Sequence, residues 1–240
     1  VSVVEGDKEV AQALLAERWD YIFFTGSVKV GKIVAQAASK HLTPLTLELG
    51  GKSPCVVHPS AKIEQAAKRI VWGKFVNAGQ TCIAPDYLLV HQDIQSKLIK
   101  ALRQQIEKYY GSNPKQSPDF ARIINEDNHN RLQKMLNDDR IEIIEGGRTD
   151  VSQLYIAPTL VAVESLEAHC MSQEIFGPIL PILTYSTTQD LEVIINHYEK
   201  PLSAYVFSRK RRFTKWFLHQ FAFGGGVIND TLVHFVNKNL

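Results

Sequence analysis

Cys82 is the residue of this 240-residue chain best placed for covalent chemistry. It lies in NAGQTCIAPDY, after a helical pattern ends near Asn77 and before an apolar strand begins. A thiol in a loop among small and polar neighbours can be exposed, and nearby dipoles can lower its pKa. Cys55, in SPCVVH, is predicted to lie in a buried strand as a small apolar side chain. Cys170 has no apolar period around it, and on these residues alone a loop thiol and a nucleophile are equally good interpretations of Cys82.

Glu48 lies in LTLELGG, inside an otherwise apolar strand and directly before two glycines. A carboxylate there is paired with a base, exposed at the strand end, or held in a dry pocket that raises its pKa. Only the third arrangement gives a general base near neutral pH. The residues alone favour the first two.

A possible phosphate-binding turn runs through FFTGSVKVG. A predicted strand ends at Thr25, Gly26 permits a tight turn, and Ser27 is a good N-cap for the helix that follows. The free N–H groups of a helix start suit a phosphate. The segment lacks the full GxGxxG pattern, so a purely structural turn is the simpler interpretation.

The motif SQEIFGP carries Glu174 and Phe176, two residues apart. On an extended strand they point to the same face. The carboxylate can hold both hydroxyls of a ribose while the ring packs on the sugar or the base. The alternative is an ordinary turn before a strand, and on spacing alone this alternative is favoured.

Two further patterns indicate no site. The basic run Arg209–Arg212 opens a predicted helix and is interpreted as a solvated face. The histidines show no HExxH-like spacing and the cysteines form no CxxC pair, so we expect no metal site.

Strand-like and helical patterns alternate almost throughout, which predicts βαβ units and an α/β fold with a mainly parallel sheet. The predicted strands have the sequences SVVEG, YIFFTG, TPLTLELGG, PCVVH, YLLVHQ, IEIIEGG, TLVAV, ILPILTY, LSAYVFS and GGVIND. The predicted helices are DKEVAQALLAERW, SVKVGKIVAQAASKH, residues 61–77, DIQSKLIKALRQQIEKYYG, residues 128–136, DLEVIINHYEK and RKRRFTKWFLHQFA.

Charge and hydropathy exclude several classes of partner. The formal charge is +2, from 27 basic and 25 acidic side chains, too small a surplus to indicate nucleic acid or an anionic membrane surface. No apolar run approaches the roughly 18 to 20 residues that span a bilayer. The first residues given, VSVVEGDKE, do not have the basic and apolar pattern expected of a secretory signal. Sparse, unpaired cysteines predict a reducing compartment, the cytoplasm.

Four motifs in a fixed order resemble the aldehyde dehydrogenase superfamily: FTGS, LELGGKSP, GQTCIAPDY and QEIFGP. Their sequences are most similar to the class 3 branch of fatty and aromatic aldehyde dehydrogenases. The resemblance runs across nearly the whole chain, including EKPLSAYVFS and GGVINDTLVH. It implies the aldehyde dehydrogenase fold. Residues 1–47 then form part of a Rossmann-type cofactor domain, and residues 48–240 form an α/β catalytic domain.

The resemblance also implies an activity: oxidation of a small-molecule aldehyde to a carboxylate with NAD or NADP, through a thiohemiacetal and a thioester. It implies Cys82 as the nucleophile and Glu48 as the general base, and a homodimer for the complete protein. The cofactor-binding residues that it implies are Thr25, Gly26 and Ser27 in the turn, Val30 near the adenosine, Leu49 beside the nicotinamide, and Glu174 and Phe176 on the nicotinamide ribose.

The same resemblance predicts a fragment. In the family an upstream segment supplies an oxyanion-hole asparagine and the residues that hold the adenosine ribose, and a PFGG segment follows the point where VNKNL ends. We therefore expect weak or absent dehydrogenase activity from these 240 residues. The alternatives are a cofactor-independent thiol esterase and a non-catalytic module that binds a partner or forms an oligomer.

Overall fold

The computed structural model describes residues 1–236 and divides into two compact units, Val1–Gly50 and the chain from Gly51 onward. The division falls after Gly50 rather than after Leu47, because Glu48 and Leu49 complete a strand of the first unit. Residues 237–240, the end of the second predicted domain and of VNKNL, lie outside the described residues.

The first unit is a βαβ arrangement preceded by a helix, with the elements α1 (Lys8–Ala16), β1 (Ile22–Gly26), α2 (Val28–Ser39) and β2 (Leu45–Leu49). The two strands are parallel, as a helical crossover requires. Asp7 caps α1 and Ser27 caps α2 through their side chains, so each satisfies a free N–H of its helix start.

The predicted strand SVVEG is wrong. Residues 1–7 have no regular structure, and Val1, Val3 and Val4 are exposed. A strand needs a neighbour for its backbone N–H and C=O groups, and the sheet described for this unit contains only β1 and β2. SVVEG favours a strand locally, but the described sheet of this unit gives it no neighbouring strand with which to pair.

The second unit is built on a seven-stranded sheet in the order β11-β10-β3-β4-β9-β8-β5. Neighbouring strands are parallel except β5, which is antiparallel to β8. The mainly parallel α/β architecture is thus confirmed. The strands are β3 (Pro54–Val57), β4 (Tyr87–His91), β5 (Ile141–Glu145), β8 (Thr159–Val163), β9 (Ile179–Tyr185), β10 (Ser203–Phe207) and β11 (Gly225–Ile228), and the separate hairpin is β6 (Thr149–Asp150) with β7 (Tyr155–Ile156).

Helices cover this sheet, which explains why β3, the interior of β4 and β10 read as continuous apolar runs and are buried. They are α3 (Ile63–Phe75), α4 (Gln95–Tyr110), α5 (Glu126–Leu136), α6 (His169–Ser172), α7 (Thr188–Asn196) and α8 (Arg211–Gln220). No helix among residues 1–236 is both long enough and apolar enough to cross a bilayer.

Candidate active site

Two loops at one edge of the seven-stranded sheet carry the candidate residues of the second unit. We call residues 77–86, which lead into β4, the nucleophile loop, and residues 173–178, which lead into β9, the Glu174 loop. β4 and β9 are adjacent and parallel. Loops that precede adjacent parallel strands lie at the same edge, so the topology brings Cys82 and Glu174 to one place.

The nucleophile loop begins with a sharp change of backbone direction. Asn77 and Ala78 have φ values of 53° and 51°, in the left-handed region. Each such residue costs on the order of 1–3 kcal/mol and needs support from its surroundings. Gln80 supplies that support: its side chain donates to the carbonyls of Asn77 and Arg122 and accepts the N–H of Ile124.

Cys82 lies in a turn of this loop and its side chain is partly exposed. The other two thiols are fully buried, Cys55 in β3 and Cys170 in α6. Burial raises the pKa of Cys170 to about 11 and raises that of Cys55 as well. Both therefore stay protonated and shielded, and Cys82 is the thiol that a substrate can reach.

The nucleophile loop and the Glu174 loop are in direct contact. A Cβ on Gly79 would lie 2.3 Å from the carbonyl oxygen of Gly177, so only glycine allows the two backbones to approach so closely. Asp86, at the end of the nucleophile loop, accepts the N–H of Ile175 at 2.9 Å. Ile175 lies between Glu174 and Phe176, so this bond ties the nucleophile loop to the pair.

Buried charges hold this contact in place. The second oxygen of Asp86 lies 2.5 Å from Lys52 Nζ, and both side chains are at least nine-tenths buried. Lys52 also donates to the carbonyl of Cys170 at 2.7 Å. From the other side, Arg131 on α5 donates to the carbonyl of Ile175 at 2.7 Å. Both ends of Ile175 are thus fixed, and we call Lys52, Asp86 and Arg131 the clamp.

Glu174 and Phe176 lie in the loop before β9, as the interpretation favoured on spacing alone predicts. Neither residue lies in a strand, and Phe176 has a φ of 46°, so the same-face argument does not apply. The clamp, rather than strand alternation, sets their positions. The Glu174 carboxylate accepts the N–H of Gly51, and burial, with the charge of Asp86, raises its pKa to about 7.

Lys74 is a further buried charge near this site. Its side chain is fully buried at the end of α3, and its Nζ has no hydrogen-bond partner among residues 1–236. Burial lowers the pKa of Lys74 to about 8, against the attraction of Asp86 and Glu174.

The sequence analysis missed Lys52, Lys74, Asp86 and Arg131. Asp86 and Lys52 stand inside the quoted motifs, but a charge in a loop gives no sign of burial. Lys74 lies in the apolar stripe of its helix, and a cation at that position was the available signal.

The remaining candidates group in the first unit. The register pairs Thr25 with Glu48 and Gly26 with Leu49, so these four residues end the two strands side by side. Ser27 Oγ accepts the N–H of Val30 at 3.3 Å. Glu48 is exposed, as is Val30 on the first turn of α2.

Comparison with known proteins identifies the family. The family model described as "Aldehyde dehydrogenase family" matches residues 1–239. The chain belongs to the aldehyde dehydrogenase family. A 4,4'-diaponeurosporen-aldehyde dehydrogenase of Staphylococcus aureus is 48% identical over 240 residues, which are 100% of this chain and 52% of that protein. A dimeric, NADP-preferring aldehyde dehydrogenase of Rattus norvegicus is 44% identical over 232 residues, 97% of this chain and 51% of that protein.

The aldehyde dehydrogenase fold is shown by solved structures as well. The substrate-bound state of a Staphylococcus aureus AldH aligns with a TM-score of 0.95 at 48% identity, over 99% of this chain and 52% of that one. The chain therefore spans about half the length of the aldehyde dehydrogenases that it matches. Relatives of the class 3 type, such as family 3 member A2 of Macaca fascicularis, at 43% identity over 97% of this chain and 48% of that protein, confirm the branch.

This aldehyde dehydrogenase chain has two features that fit a nicotinamide dinucleotide. The strand-glycine-helix turn at Gly26 offers free N–H groups at a helix start, which suit a phosphate. The half-buried Glu174 offers a carboxylate, which suits the hydroxyls of a ribose. Within residues 1–236 no group of three or more His, Cys, Asp or Glu side chains could hold a metal ion.

Proposed function

We propose that this chain is the nucleophile-bearing half of an enzyme that oxidises an aldehyde to a carboxylate with NAD or NADP. The observation that supports it most is the partly exposed Cys82 in a loop bound directly to the Glu174 loop. The thiol of Cys82 and the carboxylate of Glu174, which suits the hydroxyls of a ribose, lie at one edge of the sheet, as a thiol-dependent dehydrogenase requires.

In the proposed reaction the Cys82 thiolate adds to the aldehyde carbon and forms a thiohemiacetal. A nicotinamide held by Leu49, Glu174 and Phe176 would supply the hydride acceptor for that carbon, and a thioester on Cys82 would remain. Glu48 takes a proton from the water that hydrolyses the thioester, and the carboxylate and the thiol are released. The backbone N–H of Cys82 is one donor for the oxyanion that forms in both steps.

The proposed cofactor contacts divide between the two units. Thr25, Gly26 and Ser27 hold the phosphates, Val30 lies by the adenosine and Leu49 by the nicotinamide. Glu174 and Phe176 hold the nicotinamide ribose. The NADP-preferring relative supports a nicotinamide cofactor, and because that relative is dimeric it also supports a homodimer for the complete protein. We propose the cytoplasm as its location, because the thiol chemistry needs a reducing compartment.

The substitution Cys82→Ala tests this function. In the complete protein it should abolish aldehyde-dependent formation of reduced cofactor, followed by absorbance, because the other two thiols within residues 1–236 are fully buried. Cys55→Ala is the matched control. It removes one small buried thiol and should leave turnover unchanged. Turnover retained in Cys82→Ala would refute the assignment.

A cofactor-independent thiol esterase is the second candidate. It is favoured by one observation: the nucleophile loop, the Glu174 loop and the clamp all lie within the second unit. Hydrolysis of a chromogenic ester that needs Cys82 but shows no aldehyde-dependent cofactor reduction in the complete protein would favour this candidate over the dehydrogenase.

A further inference from the structure

A buried tyrosine reaches the nucleophile loop from the neighbouring part of the sheet. Tyr205 lies on β10 and is fully buried. Its hydroxyl donates a hydrogen bond to the carbonyl of Ile83, the residue that directly follows Cys82. The Cys82 and Tyr205 side chains are also close enough for their charges to interact. A phenylalanine would fill the same space, so the hydroxyl has a task beyond packing.

Two more side chains hold that hydroxyl. Ser203, two residues earlier on β10 and on the same face, lies beside the Tyr205 hydroxyl and interacts with it. Ser203 Oγ lies 3.0 Å from His234 Nε2. The chain of contacts therefore runs from His234 through Ser203 and Tyr205 to the carbonyl of Ile83.

The surroundings of His234 are shaped to accept it. A Cβ on Gly225 would lie 2.7 Å from His234 Cδ2, so the ring lies where a larger residue in β11 would collide with it. Leu232, just before the helical turn of His234, has a φ of 60° in the left-handed region. Its backbone N–H lies near the Tyr205 hydroxyl. A left-handed residue is strained and needs support from its surroundings.

We propose that Tyr205 is a positioning residue for Cys82, and that Ser203 and His234 hold its hydroxyl on the Ile83 carbonyl. Fixing that carbonyl fixes the peptides on either side of Ile83. The Cys82 thiol and its backbone N–H, the proposed oxyanion donor, then keep one orientation. This inference rests on the proposed role of Cys82, and a small misplacement of a reacting group can slow a reaction by about 10²-fold.

The first test is the reactivity of Cys82 toward iodoacetamide in the 240-residue protein, located by peptide mapping. In Tyr205→Phe the loop loses its tether, so the partly exposed thiol should react about threefold faster or more. Cys55 and Cys170 are fully buried and act as internal controls, since label on them reports unfolding. The matched variant is Tyr185→Phe, because the buried Tyr185 also donates to a backbone carbonyl, that of Val57 at 3.3 Å.

The second test is steady-state turnover of the complete protein. Tyr205→Phe should lower kcat about tenfold and leave KM for the cofactor within about twofold, because the tether acts on the nucleophile and not on the ribose contact. Ser203→Ala should show the same pattern in weaker form, and Ser203→Thr, which keeps a hydroxyl, should restore part of kcat. A purely structural role lowers the melting temperature without this split.

Faster labelling of Cys82 with slower turnover supports the inference. Labelling and kcat that both match Tyr185→Phe overturn it. If iodoacetamide labels the buried thiols of Tyr205→Phe, that variant is partly unfolded. Ser203→Ala then tests the inference by the same two criteria, the labelling rate of Cys82 and kcat. A wild-type protein that labels at Cys82 yet never reduces the cofactor refutes the dehydrogenase function, while the labelling comparison still decides the positioning role.

Discussion

At the scale of single residues, the exposed position of Glu48 does not by itself identify the role of its carboxylate. The side chain is exposed at the end of β2. As the proposed base it has to deprotonate the water that attacks the thioester. Glu48→Gln removes the base and keeps the shape, so kcat should fall about 10²-fold or more while acyl-enzyme accumulates.

Intact-mass measurement of acylated Cys82, together with the turnover number, checks this prediction. Glu64→Gln is a suitable control, since Glu64 is an exposed carboxylate on the first turn of α3. An unchanged turnover number and pH profile in Glu48→Gln would show that another group is the base.

In the proposed dehydrogenase, we expect Glu174 to make cofactor binding depend on pH near neutrality. Its pKa is raised to about 7, first by burial and then by the charge of Asp86. Below that value the carboxyl is neutral and accepts hydrogen bonds from a ribose poorly. KM for the cofactor should therefore rise several-fold as the pH falls from 8 to 6.

The effect on stability has the opposite sign. The pKa in the folded state lies above the ordinary value of 4.5, so the neutral form is the one that folding favours. Stability is fully present below about pH 4.5 as far as this group is concerned, and is lost as the pH rises through about 7. In Glu174→Gln both pH trends should flatten; a KM that is already flat in the wild type between pH 6 and 8 contradicts the prediction.

At the scale of elements, the clamp holds the nucleophile loop and the Glu174 loop together as one site. Asp86→Asn keeps an acceptor for the N–H of Ile175 but leaves Lys52 as an uncompensated buried charge. Breaking one partner of a buried pair costs about 3–5 kcal/mol. Urea unfolding should therefore show a loss of that order, and KM for the cofactor should rise because Glu174 and Phe176 lose their fixed backbone.

Asp139→Asn, which neutralises an exposed aspartate, is the control for this variant. If Asp86→Asn unfolds at the wild-type urea concentration with an unchanged KM, the pair is not a clamp. A fall in stability with an unchanged KM would limit it to a role in folding.

Local sequence signals predicted the regular elements well because their causes are local. Ser27 caps α2, and Gly111 ends α4 with a positive φ, both within a turn of where the pattern indicates. The hairpin of β6 and β7 and the four-residue α6 escaped notice, because elements so short carry no periodicity. The clamp escaped for another reason: its members are 34 to 79 residues apart along the chain, and only the fold brings them together.

Motif order named Cys82, Glu174 and Phe176, and their roles stay predictions. The structure places their two loops in contact, which the spacing of the motifs did not predict. The same-face argument for Glu174 and Phe176 does not apply, because spacing by two residues has no fixed meaning in a loop with a φ of 46° at Phe176.

At the scale of the whole molecule, the two units differ in how much apolar surface they bury. No residue of α1 is buried, and α2 buries only Gly31, Val34 and Ala38. In the second unit, β3, β10 and most of β4 and β9 are buried. A two-stranded sheet with so small a core is marginal in water, whereas the seven-stranded sheet has a continuous core.

The two units of the 240-residue chain should therefore open independently. Backbone amides of β1 and β2 should exchange with deuterium at least about tenfold faster, after correction for intrinsic rates, than those of β4 and β9. Exchange followed by mass spectrometry of peptides from residues 22–49, 87–91 and 179–185 checks this directly. The protection of β4 and β9, which follow the nucleophile loop and the Glu174 loop, should persist in denaturant that already exposes the first unit. Equal protection in both units, lost together at one denaturant concentration, would show that the chain unfolds as a single cooperative body.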